Sequence, residues 1–126
     1  MKTDITTNEH IEAMVKSFYQ KIFADDLLGP IFKDIAGVDL EQHLPVMYKF
    51  WGMLLLGQKD YKGDPFEPHQ ALNSKVPLDQ QLFDRWLSLF SQTVDDMYEG
   101  PTAERAKMMA ESIADGFLMR FGRISL

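Results

Sequence analysis

Four stretches of this chain place apolar residues at helical spacing, and one long stretch between them, Gly57 to Val76, does not. No segment alternates with the period of a strand, so the pattern predicts an all-α fold. Four helices alone would suggest a simple bundle, whose connections are short. The interruption, GQKDYKGDPFEPHQALNSKV, carries Pro65, Pro68 and two glycines. An irregular segment of that length inside a small domain is uncommon, and such segments are usually functional or disordered. A bound cofactor is a natural agent for ordering it.

The helices have recognisable ends. The first is expected to begin near Thr6, with Glu9 completing a capping box, and its stripe is Ile11, Met14, Val15, Phe18, Ile22 and Phe23. Asp25 or Asp26 then caps a short turn broken by Gly29 and Pro30. Asp39 with Gln42 opens the second helix, which buries Met47, Phe50, Trp51, Leu54 and Leu55 and stops at Gly57. Pro45 either falls in a first turn beginning near His43 or kinks the helix. After Pro77 the third helix carries Phe83, Trp86, Leu87, Phe90, Val94 and Met97 in register. Pro101 suits the first position of the last helix, which buries Ala106, Met109, Ile113, Phe117 and Phe121.

A length of 126 residues suits one domain, residues 1–126. The net charge of −6 disfavours a nucleic-acid partner, which would need a basic face. The absence of cysteine removes disulfides, thiolate metal sites and thioether attachment of a cofactor. The N-terminus lacks the apolar run of a signal peptide, and the longest apolar run, Phe50 to Leu56, is too short to span a membrane. These features predict a cytoplasmic chain that makes no membrane contact.

Three histidines are present: His10, His43 and His69. His10 falls in a polar first turn and reads as a solvated surface residue. His43 lies four residues before Met47 and seven before Phe50, on the inward face of its helix. His69 follows Pro68, which can start a single helical turn, PHQAL. The plain alternative makes His43 a core-edge residue and His69 an exposed loop residue. Zinc is disfavoured, because no two histidines stand four apart on one helix and no cysteine assists. A haem needs only one axial protein ligand and a large apolar slot. Tyr19, at the edge of the first stripe, and Trp86, within the third, each carry one polar hydrogen that needs a partner when buried. They either fill core and bond backbone carbonyls, or point at a ligand. No Ser/His/acid constellation or phosphate-binding glycine loop is present.

Phe18-Tyr19, Leu28-Gly29-Pro30-Ile31-Phe32, His43 with Phe50-Trp51, and Leu55-Leu56-Gly57 together resemble the truncated haemoglobins, specifically group III. Tyr61, Gly63, Pro65 and His69, the block Phe83 to Phe90, Ala103 to Ala106, and Ile113-Ala114 extend the resemblance over nearly the whole chain. The resemblance implies a truncated globin-like two-over-two helical sandwich around haem b (iron protoporphyrin IX). It implies that His69 is the proximal iron ligand and that Tyr19 and Trp86 form the distal hydrogen-bonding pair. By the same resemblance His43 is a distal gating histidine, and Phe18, Phe32, Phe50, Phe83, Phe90 and Ile113 line the pocket. Arg85, charged and next to Trp86, is the expected propionate partner.

The implied ligands are the diatomic gases O2, NO and CO at a pentacoordinate iron, in a bacterial, cytoplasmic protein that is a monomer or weak dimer. Two function classes follow from the resemblance. One is redox chemistry on NO or peroxide, with tight O2 binding and an external reductase. The other is simple oxygen binding and transport, or gas sensing, without turnover. A cofactor-free helical interaction module stands as a third class.

Overall fold

The computed structural model describes residues 2–63 and 66–121. Among them are five α-helices: α1 (Asn8–Ala24), α2 (Leu40–Leu56), α3 (Phe66–Asn73), α4 (Gln80–Met97) and α5 (Pro101–Arg120). A π-helical turn, Ile31–Ile35, lies between α1 and α2. The helices pack as two pairs: α1 lies against α2, α4 against α5, and the pairs meet through α1 with α4 and α2 with α5.

Local chemistry sets most of the boundaries. Thr7, one residue later than expected, caps α1, and its hydroxyl accepts the His10 N–H. Thr6 instead donates its backbone N–H to His10 Nδ1 at 3.0 Å. His10 is therefore half-buried rather than solvated, with its ring 5.3 Å from that of Tyr98. Asp39 caps α2 through Glu41 N–H, and Gly57 ends it in the left-handed conformation at φ 69°. Helix α2 begins at Leu40 and continues through Pro45, which is thus interior, leaving the Glu41 carbonyl without its helical donor. Pro101 occupies the first turn of α5 as expected.

The segment from Gly57 to Val76 holds more helix than the single turn its pattern suggested. Helix α3 has eight residues, and Pro68 falls within its first four, where backbone N–H groups have no helical acceptor to lose. Pro65, the other proline of the interrupted segment, lies outside the described residues.

The core forms where the stripes meet: Met14, Phe18 and Ile22 of α1, Trp51 and Leu55 of α2, and Phe90 and Val94 of α4. The face of α5 that packs deepest is made of Ala103, Ala106, Ala110 and Ala114, whose small side chains admit close helix approach. Met109, Ile113 and Phe121, expected to be buried, stand half-buried beside that alanine row. The N-terminal segment is pinned beneath the start of α5. Asp4 accepts the backbone N–H groups of Thr102 and Ala103 at 3.0 and 2.9 Å, serving as a cap supplied from the other end of the chain.

Candidate functional site

A cavity of about 430 Å³ opens among all five helices and the π-helical turn, within the size range of cofactor pockets. Its walls are aromatic and aliphatic. Lysine 75 is the one lining residue among those described that carries a full charge, histidines aside.

Helix α1 contributes Phe18 and Tyr19 to the wall. Tyr19, read as an edge residue, is only 6% exposed, because the π-helical turn folds Phe32 against its ring at 6.2 Å. Its hydroxyl stands 2.9 Å from His43 Nε2, reaching from α1 to α2. Burial raises the Tyr19 hydroxyl well above the usual phenol range. Burial also lowers His43, and the His69 imidazole adds to that effect. Both groups are therefore neutral at pH 7, and the pair shares protons between two uncharged partners.

Helix α3 brings His69 to the same cavity, directly after Pro68, which also lines it. The His69 ring lies 4.5 Å from that of Phe117 on α5, tilted by 33°. Phe117 also lines the cavity, as does Ile113 one turn earlier. Helix α4 adds Phe83 and Trp86, and the Trp86 indole meets the edge of Phe18 at 5.5 Å.

Two expected pocket residues lie elsewhere. Phe90 is fully buried behind the wall, stacked between Trp51 at 4.8 Å and Trp86 at 5.9 Å. It follows Trp86 by four residues, so it sits one turn deeper along the same face of α4. Arg85 does not line the cavity. Adjacent helical residues diverge, and its guanidinium turns to Asp25, donating from Nε to Oδ1 at 2.7 Å.

A family model described as "Bacterial-like globin" matches residues 3–116. The chain belongs to that family. This globin is 32% identical over 120 residues to the group 3 truncated hemoglobin ctb of Campylobacter jejuni, across 93% of this chain and 92% of the relative. It is 35% identical over 68 residues to the group 1 truncated hemoglobin GlbN of Nostoc, across 53% of this chain and 55% of that one. The crystal structure of a group III truncated hemoglobin from Campylobacter jejuni superposes with a TM-score of 0.85 and 31% identity, covering 96% and 95% of the two chains. The fold is therefore that of the truncated haemoglobins, and the globin carries that family's haem-based gas binding.

The donor set of the globin's cavity fits such a group. Among the described residues no three His, Cys, Asp or Glu stand close enough to cage a bare metal ion. A macrocycle brings its own four nitrogens and asks the protein for one imidazole and an apolar slot. His69 is the imidazole on the α3 side, and the aromatic walls supply the slot. The cavity also takes in Met47, Trp51, Leu72, Leu78 and Lys75, which no local signal singled out as pocket residues. Met47 and Trp51 were legible only as members of an inward helical face.

Proposed function

We propose that this globin holds haem b through His69 as its axial ligand, and binds O2, NO and CO reversibly on the Tyr19 side. The observation that carries the reading is one cavity lined by His69 from α3, the Tyr19–His43 pair from α1 and α2, and Trp86 from α4. Bound haem would supply a ferrous, five-coordinate iron able to take a diatomic gas at its open position.

The chain's own residues then decide how firmly the gas is held. Tyr19 and Trp86 would each offer a donor to a gas held in the cavity, and where that gas carries partial negative charge the hydrogen bond would be worth about 1.5–3 kcal/mol. Each such bond slows dissociation by roughly 10- to 150-fold. Trp86 can only donate. Tyr19 has a single proton and two uses for it. When His43 Nε2 is unprotonated, the Tyr19 hydroxyl donates to it and is occupied. When Nε2 bears the proton, His43 donates to the Tyr19 oxygen and leaves the phenolic proton free for the ligand. The second arrangement also polarises the phenol and makes it a better donor.

Two donors on one gas favour slow release, which suits chemistry on bound O2 more than delivery. The reading is therefore a role in NO/O2 redox chemistry, with electrons from an external reductase and the protein acting as a monomer or weak dimer. Optical spectra of the ferric, ferrous, CO and O2 forms test the cofactor and its ligation. Stopped-flow mixing of the oxygenated protein with NO tests the chemistry. Rapid conversion to ferric protein and nitrate, sustained with a reductase, supports turnover. Slow conversion leaves a gas store or sensor.

A further inference from the structure

The cavity is walled mostly by apolar side chains, yet Lys75 is among the residues that line it. The chain as a whole is acidic, with 19 Asp and Glu against 13 Lys and Arg. Several other cations on the molecule are matched: Arg85 with Asp25, Lys107 with Asp95 and Glu104, and Lys21 with Asp96. Among the described residues Lys75 has no such ion pair.

Its backbone is held firmly. The turn after α3 is closed by Lys75 N–H to the Leu72 carbonyl at 2.9 Å and Val76 N–H to the same carbonyl at 3.0 Å. The Ser74 hydroxyl donates to the Ala71 carbonyl at 2.6 Å, and Asn73 Oδ1 accepts Leu78 N–H at 2.8 Å. Leu72 and Leu78, which flank the turn, themselves line the cavity, and Leu78 is buried against Phe83, Ala114 and Phe117. The exposed lysine thus carries its ammonium on a flexible four-carbon stem that springs from a hydrogen-bonded turn beside the apolar wall.

Haem carries two carboxylates on one edge. Burying them in an apolar slot without partners is costly, so that edge belongs at the rim, against a cation. We propose that Lys75 is the carboxylate-binding residue of the cavity, pairing with a haem propionate and fixing the macrocycle's acidic edge against the 74–78 turn. The assignment rests on the haem reading above. It makes one short segment responsible for two contacts, His69 on the iron and Lys75 on the rim. It also fills the role for which Arg85 is unsuited, since Asp25 already holds that guanidinium.

The test is a cycle between protein and cofactor. Recombinant globin and its Lys75→Ala and Lys75→Arg variants are loaded with haemin or with haemin dimethyl ester, in which both propionates are methylated. Cofactor loss is followed by transfer to excess apomyoglobin. Lys75→Ala is expected to speed haemin loss by about two- to five-fold, as befits one solvent-exposed ion pair, with the gap narrowing at high salt. Lys75→Arg should stay near the parent, and the three proteins should lose the ester at equal rates. Equal haemin loss from parent and Lys75→Ala overturns the assignment. So does a Lys75→Ala effect that persists with the ester, which would mean packing rather than charge. If neither porphyrin binds the parent, the haem reading itself has failed, and that result is distinct from the other two.

Discussion

The Tyr19 hydroxyl and His43 Nε2 lie 2.9 Å apart, joining residues twenty-four positions distant in the chain across the wall of one cavity. Neither group is charged at neutral pH, so the direction of the hydrogen bond is set by the histidine tautomer and not by ionisation. That makes His43 a tuner of Tyr19 as much as a side chain in the pocket.

Replacing Tyr19 by Phe should raise the O2 dissociation rate by about tenfold or more, the loss of one charge-assisted donor. His43→Leu reads the tautomer: it should raise the rate by less where His43 Nε2 donates to the Tyr19 oxygen, and lower it where the Tyr19 hydroxyl donates to Nε2, because the phenolic proton is then freed for the ligand. The double variant should resemble Tyr19→Phe alone, since the two residues act through one bond. Stopped-flow displacement of O2 by CO measures all three. An unchanged rate in Tyr19→Phe removes that residue from the distal role.

His69→Ala should abolish the five-coordinate ferrous spectrum and speed loss of the cofactor. Exogenous imidazole should restore the spectrum by occupying the vacated position. Titration of the apoprotein with haemin, followed at the Soret band, reads both effects. Stoichiometric uptake with the parental spectrum would falsify the assignment of His69 to iron.

Asp25 should matter to stability more than its ion-pair partner. Its side chain is 4% exposed and accepts Leu27 N–H at 3.1 Å and Leu28 N–H at 2.9 Å as well as the Arg85 guanidinium. Asp25→Ala should cost about 1 kcal/mol, as loss of a cap does. Arg85→Ala should cost less, because the guanidinium is half exposed. Urea midpoints rank the two variants. Haemin loss from Arg85→Ala should match the parent, in contrast to Lys75→Ala.

Acid should weaken the fold through Asp4. Burial pushes this carboxyl up, but the backbone N–H groups of Thr102, Ala103 and Ile5 outweigh it and hold the group below its ordinary value. A depressed carboxyl stabilises the fold above its unfolded pKa, near 3.9, and loses that contribution as pH falls through the folded value. Asp4→Ala should therefore be less stable than the parent by about 1 kcal/mol at pH 6. The gap should close as pH drops below about 4. Thermal melts across pH 2.5 to 7 follow it, and a gap of constant size would assign Asp4 a packing role only.

Gly100 is bound to the same contact. Its φ is +144°, and a Cβ there would come within 2.6 Å of Asp4 Cγ. Gly100→Ala should lower stability by about 1–3 kcal/mol, from backbone strain and displacement of the cap together. The melting temperature at neutral pH reads it.

The amino-acid sequence by itself determined where most helices run and how they end. The stripes of α1, α2 and α4, the Asp39 cap, the Gly57 stop and Pro101 in the first turn of α5 depend on residues within a turn or two of each other. Such signals survive in one dimension. The deep burial of Tyr19, the length of α3, the withdrawal of Arg85 to Asp25 and the placing of Lys75 among the lining residues of the cavity did not. Arg85 and Asp25 stand sixty residues apart, and their meeting depends on how α4 lies across the end of α1. Helix α3 carries only a weak stripe, and Leu72 in its second turn packs against the cluster of Leu78, Phe83 and Phe117, a contact that local sequence does not announce. Periodicity and capping fix which side chains a helix offers to the interior. Only the packing of one helix pair on the other decided which of those side chains face a shared cavity and which are spent on the core.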